Sequence, residues 1–85
     1  MELLLDVISV VPREDNTLLL VFENQVERLF DMTPYLSKKP FLILKKLPLF
    51  MKARVEYGTV VWPGNIDIAP ETLWDCSKEV IHYAS

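Results

Sequence analysis

The chain is short of the residues from which active sites, metal centres and membrane spans are made. Its 85 residues include two glycines, one cysteine and one histidine. The glycines, Gly58 and Gly64, stand apart, so no glycine-rich loop is available to cradle a phosphate. A lone Cys76 excludes an intramolecular disulfide. A metal centre needs three or four ligands, and Cys76 with His82 does not supply them. No Asp-rich loop offers a carboxylate-only alternative. Cys76 and His82 are six residues apart, which on a helix turns them to different faces, so nothing supports a Cys–His nucleophile. The longest apolar runs, Leu18 to Phe22 and Phe41 to Leu44, fall far short of the ~20 residues of a membrane helix. The opening Met-Glu-Leu-Leu-Leu-Asp carries an acid where a secretory signal carries positive charge. These absences predict a cytoplasmic protein with no cofactor, no metal and no catalytic residues, hence not an enzyme.

What is present is a globular composition: 51% hydrophobic and 25% charged residues. The length predicts a single domain over residues 1–85. A domain this small buries only about 60% of the surface its unfolded chain exposes. Some apolar side chains are therefore expected to stay outside or to meet a partner. The net charge of −3 hides a segregation. Between Met32 and Val55 lie Lys38, Lys39, Lys45, Lys46, Lys52 and Arg54 with no acid, a segment of +6. The rest holds Arg13, Arg28 and Lys78 against all twelve acids, or −9. Lysines on short helical turns keep such turns soluble; the same lysines could form a basic face for an acidic partner. Nucleic acid is the weaker version of that idea, because its binders usually carry a basic balance over the whole domain.

Leu3 to Val11 reads as a strand, Pro12 to Asn16 as a turn, and Thr17 to Phe22 as a second strand. Glu23-Asn24 is expected to reverse the chain, with Asn24 left-handed. Val26 to Asp31 completes an antiparallel meander. Alternation is poor in the first two strands, as expected where both faces are covered. Helices of this chain could supply one cover and a second molecule the other. Thr33 before Pro34 predicts a helix N-cap and first-turn proline, while Pro40 and Pro48 limit the following segment to short turns. Arg54 to Tyr57 and Thr59 to Trp62 predict a hairpin around Gly58. Pro70 opens a final helix with Glu71 in its first turn, and Leu73, Trp74, Ser77, Val80 and Ile81 follow one buried stripe. The fold class is thus α+β: a small antiparallel β-meander plus a short hairpin, packed with short helices and a C-terminal helix.

The stretch Arg54 to Trp74, RVEYGTVVWPGNIDIAPETLW, resembles the closing signature of a bacterial family of domains of unknown function, family 2442. That signature is a valine-rich strand, a Trp-Pro-Asn-Gly turn, an Asp, then Pro-Glu before a Leu-aromatic pair. It falls here on Val60, Trp62, Pro63, Asp67, Pro70, Glu71, Leu73 and Trp74. FENQVERLFDMTPYL, Phe22 to Leu36, is similar to the family's earlier strand-turn-strand element. Gly64-Asn65 stands where the family favours Asn-Gly, and Trp74 where Tyr is common. Gly and Asn both tolerate positive φ, so the turn survives the swap. The resemblance implies a small α+β domain and no established activity. It also implies genes paired with a small neighbour, as in toxin–antitoxin pairs, and members fused to helix-turn-helix domains.

Two readings of the signature compete. Trp62 could stack a ligand while Asp67 and Glu71 act as acid and base. Alternatively Trp62 is an apolar plug, Pro63 ends a strand, and Asp67 accepts hydrogen bonds from the amides opening the helix. The second is preferred, so Trp62, Pro63, Asp67, Pro70 and Glu71 are taken as structural. Tyr35, Phe41, Leu44, Leu47, Leu49, Phe50 and Met51 are too many for three short turns to hide alone. Lys38, Lys39, Phe41, Lys45, Lys46 and Phe50 are therefore candidate partner contacts. The expected function is a protein-interaction module, antitoxin-like or homo-oligomeric. The alternative is a DNA-linked transcriptional regulator or accessory domain acting through Lys38 to Arg54.

Overall fold

A computed structural model of the chain describes residues 5–81. The meander forms as expected: β1 (Val7–Pro12), β2 (Thr17–Phe22) and β3 (Glu27–Asp31) pair in sequence order. The first strand starts at Val7; Leu3 lies outside the described residues. In β2 burial alternates strictly, so Leu18, Leu20 and Phe22 face the core. At the first reversal the Asp15 carboxylate accepts from the Thr17 amide at 3.2 Å and the Thr17 hydroxyl at 2.6 Å. The hydroxyl bond holds the Asp15 carboxyl below its usual range. At the second reversal Gln25, not Asn24, is the left-handed residue, with φ 68°. Asn24 instead uses its side chain, whose oxygen accepts from the Val26 amide at 3.1 Å.

Beyond Met32 the chain makes 3-10 turns at Thr33–Tyr35 and Phe41–Lys45 and one α-turn, α1 (Leu47–Phe50). Pro40 sits just before the second turn, and Pro48 lies in the first turn of α1. Thr33 is not an N-cap: it lies inside the first turn, and the Asp31 carboxylate accepts from its amide at 2.9 Å. The acid two residues back already satisfies the donor that a threonine cap would have served.

β4 (Arg54–Glu56) and β5 (Thr59–Trp62) form the expected hairpin. Tyr57 and Gly58 link them with φ 54° and 74°, the left-handed pair that a two-residue hairpin turn demands. The hairpin does not extend the meander. It joins β6 (Ile66–Ile68) in a second, three-stranded sheet. Gly58 is where the two sheets meet: its carbonyl accepts from the Val7 amide at 2.9 Å, and a Cβ there would sit 2.5 Å from the Asp6 carboxyl carbon.

α2 (Pro70–Asp75) is six residues long, and the expected stripe through Ile81 does not continue as a helix. The chain turns at Cys76 and pairs with β3 as β7 (Lys78–Glu79), with the Val80 amide donating to the Glu27 carbonyl at 2.9 Å. Arg28 explains the break. Its Nε donates to Ser77 Oγ at 2.6 Å, a guanidinium nitrogen donates to the Ser77 carbonyl at 2.8 Å, and the group lies 4.3 Å over Trp74. A continuing helix would forfeit these contacts and leave the outer edge of β3 unpaired. His82 lies outside the described residues.

The core draws on both sheets and all the helical turns. Leu18, Leu20, Phe22, Phe30, Phe50 and Trp62 are its largest fully buried members, with Leu44 and Leu73 among the rest. Tyr35, Phe41, Leu47 and Leu49 pack against it partly buried.

Candidate functional site

Three surfaces compete. The first is the signature stretch. Trp62 is fully buried, and its indole nitrogen donates to the Phe50 carbonyl at 2.9 Å. Phe41 and Phe50 pack at 6.5 and 6.1 Å from its ring. The indole is therefore closed to a ligand's flat face. Pro63 follows at the strand end, and Gly64 and Asn65 turn the chain with φ 89° and 60°. Asp67 is not a helix cap. It is the exposed middle residue of β6 between buried Ile66 and Ile68, opposite Val61. The N-cap position of α2 belongs to Ala69, which makes no side-chain cap. Strand pairing of a three-residue Ile-Asp-Ile alternation displaced the expected cap, a signal too short to stand out in the sequence. Pro70 occupies the first turn of α2 with Glu71, as expected. Because Asp67 caps nothing, Asp67→Ala should change stability by no more than about 0.5 kcal/mol, the usual range for surface positions. Urea unfolding checks this; a loss of ~1 kcal/mol or more would restore a structural role.

Asp67 also lines an open groove of about 400 Å³ on the outer face of the second sheet, with Arg54, Glu56, Tyr57, Val61 and Asn65; Trp62 borders it too, though its residue surface is 0% exposed. Arg54 and Glu56 neutralise each other there across 2.7 Å. Glu71 does not line the groove, so the acid–base pair posed from the sequence is not assembled in it. Tyr57 had no sequence signal beyond its neighbour Gly58. It is 96% exposed while its backbone holds the left-handed region.

The second surface is the basic segment. Lys38, Lys39, Lys45, Lys46 and Lys52 are all exposed, and the Lys38 ammonium lies 5.7 Å from the Tyr35 ring centroid. Among them Leu42, Ile43 and Met51 expose 40%, 49% and 40% of their surface. Two proposed contacts fare differently: Phe41 is half-buried, and Phe50 is fully buried and closed to any partner. Phe50 stacks on Trp62 and presents its carbonyl to the indole, so the core has claimed it.

The third surface is the outer face of the first sheet. Strand register places Val11, Leu19, Leu29 and Lys78 in one cross-strand row. Val21 flanks the row two residues along β2, between Ser9 and Glu27. Val11 is 51% exposed and Leu29 36%; none of Val11, Leu19, Val21 and Leu29 packs into the core. The unbroken run Leu18 to Phe22 signalled a second apolar face, but only the register shows which residues share it.

Cys76 caps the end of α2 and is exposed. Its hydrogen bond with the Tyr35 hydroxyl raises the tyrosine's pKa. Among the described residues no group of three His, Cys, Asp or Glu side chains could hold a metal, and no helix is long and apolar enough to cross a membrane.

Two small antiparallel sheets with short helical turns define an α+β protein. The model of the family described as "Protein of unknown function (DUF2442)" matches residues 7–79, and the chain belongs to that family. Searches of curated proteins and of solved structures return no match.

Proposed function

We propose that this chain is a non-catalytic protein-interaction module whose contact surface is the outer face of the first sheet. The observation that carries this is the row Val11–Leu19–Leu29, apolar and outside the core, exposed at Val11 and Leu29 and half-buried at Leu19. Side chains that could be hydrophilic at no structural cost are here apolar on adjacent strands, which favours a surface that is covered in use. The paired-gene arrangement implied by the family resemblance fits an antitoxin-like member of a two-protein pair, with this face as the seat. DNA recognition has less support. Arg54 is neutralised by Glu56, and the five exposed lysines stand against the −9 of the remaining chain.

The full tagged chain, incubated with extract of its source cell, should retain a protein through a high-salt wash. Desolvated apolar contacts keep most of their affinity as salt rises, whereas rim charges mainly tune the on-rate. Val11→Lys with Leu29→Lys should lower retention at least tenfold while the melting temperature holds. Sub-micromolar binding of a specific duplex at physiological salt, with a log–log salt slope near about −5 for six phosphate contacts, would promote the regulator reading instead.

A further inference from the structure

The sheet face has a counterpart on the same chain. Its apolar row is rimmed by acids. Asp31 pairs across from Thr17, and Asp15 is hydrogen-bonded to that threonine. At the other end Glu27 stands opposite Val21, and Glu23 accepts from the Asp6 amide at 3.3 Å. Against these four carboxylates stand Lys78, opposite Leu29, and Arg13, whose charge is felt at Asp15. The helical segment is the converse. Leu42, Ile43 and Met51 are apolar and exposed among Lys38, Lys39, Lys45, Lys46 and Lys52, and no acid lies between Met32 and Val55.

We propose that the acid-rimmed sheet face of one copy receives the lysine-rimmed Leu42–Ile43–Met51 patch of a second copy, so that the chain associates head-to-tail. This rests on the reading of the sheet face as a contact surface and names the occupant that the face takes in the isolated chain, away from the other member of the pair. Both patches point away from the shared core on separate elements, so one copy does not bring its own two together. Two sheet faces placed against each other would set carboxylates against carboxylates, and two helical patches would set lysines against lysines. Only a contact of sheet face with helical patch pairs apolar with apolar and opposite charge with opposite charge. Such a contact leaves one patch of each kind free at the ends, so it closes into a ring or continues as a chain of copies. Each patch is small, so the affinity belongs at the weak end of specific interfaces, on the order of tens of micromolar. Screening of the rim charges makes it salt-sensitive.

Sedimentation equilibrium of the full chain, with two surface variants, tests this. One variant blocks the sheet face, Val11→Lys with Leu29→Lys. The other blocks the helical patch, Leu42→Glu with Ile43→Glu. All four positions are exposed, and circular dichroism melting verifies that both variants fold. Wild type at a concentration on the order of 100 µM, above the expected dissociation constant, should exceed the mass of one copy. Raising salt about tenfold should weaken its association severalfold. Each variant alone should be monomeric. Their equimolar mixture should form a dimer and nothing larger, because each supplies the one surface the other lacks. A monomeric wild type overturns the proposal, as does a variant that still self-associates alone or a mixture that stays monomeric. The last result would point to a symmetric interface. Loss of extract-protein capture in the sheet-face variant, alongside a monomeric wild type, would overturn the head-to-tail contact while leaving the interaction reading intact.

Discussion

Trp62→Ala should destabilise the protein by about 3–5 kcal/mol, as truncation of a large buried aromatic does. The indole is wholly inside, packed by Phe41 and Phe50. Its loss also removes the indole N–H donated to the Phe50 carbonyl at 2.9 Å, leaving that oxygen only the Ala53 amide at 3.2 Å. The lost hydrogen bond adds about 0.5–1.5 kcal/mol. Small domains hold only about 5–15 kcal/mol in total, so much of the population should unfold. Trp62→Phe separates the two contributions in part, since it keeps most of the packing while losing the hydrogen bond and a portion of the ring; it should cost less than half as much. Urea denaturation of both variants reads the difference. A Trp62→Ala protein with native stability would return this residue to the list of ligand-binding candidates.

Arg28→Ala should cost about 2–4 kcal/mol and should act on the C-terminal end first. Arg28 makes two hydrogen bonds to Ser77 and covers Trp74. A charge-assisted hydrogen bond contributes about 1.5–3 kcal/mol and a cation–π contact about 0.5–2 kcal/mol, before partial exposure is discounted. Without the guanidinium, little besides the two-residue β7 pairing secures residues 77–80 to β3. Native-state hydrogen exchange should show the Val80 amide, bonded to the Glu27 carbonyl, exchanging much faster, while amides of β2 change only by the global loss. Arg28→Lys should not rescue it, because a single ammonium cannot match a planar fork that bonds Ser77 twice and stacks on a ring. Equal acceleration throughout the meander would show that Arg28 supports the whole sheet and not this junction.

Residues Trp62 and Arg28 illustrate two degrees of legibility. A tryptophan that closes a valine-rich strand and precedes proline has few places to go but inward, and its burial follows from local pattern. Arg28 sits in ERLFD with nothing to mark it, because its partners lie 46 and 49 residues away. The signature stretch was half legible. Gly64 and Asn65 turn the chain with positive φ, as their chemistry allows. Asp67 before Pro70 has the spacing of a cap, yet it points outward from a strand. Phe50 stood among candidate contacts because an apolar residue beside lysines has the same composition whether it faces in or out.

Sequence by itself determined the local events: a three-strand meander from runs of apolar residues broken at Pro12–Asn16 and Glu23–Asn24, short turns from Pro40 and Pro48, and a tight hairpin at Gly58. Each depends on dihedral preferences or periodicity within a few residues. Tertiary structure alone decided that the hairpin joins Ile66–Ile68 in a second sheet and does not lengthen the first. It also ended α2 at Asp75, where Arg28 and the open edge of β3 outweighed continued helix. Likewise it set Val11, Leu19 and Leu29 side by side, since register across three strands is fixed by which faces the core can cover. Eighty-five residues cannot cover both faces of this sheet with their own short helices, and the face left open is where the chain meets other molecules in the reading proposed here.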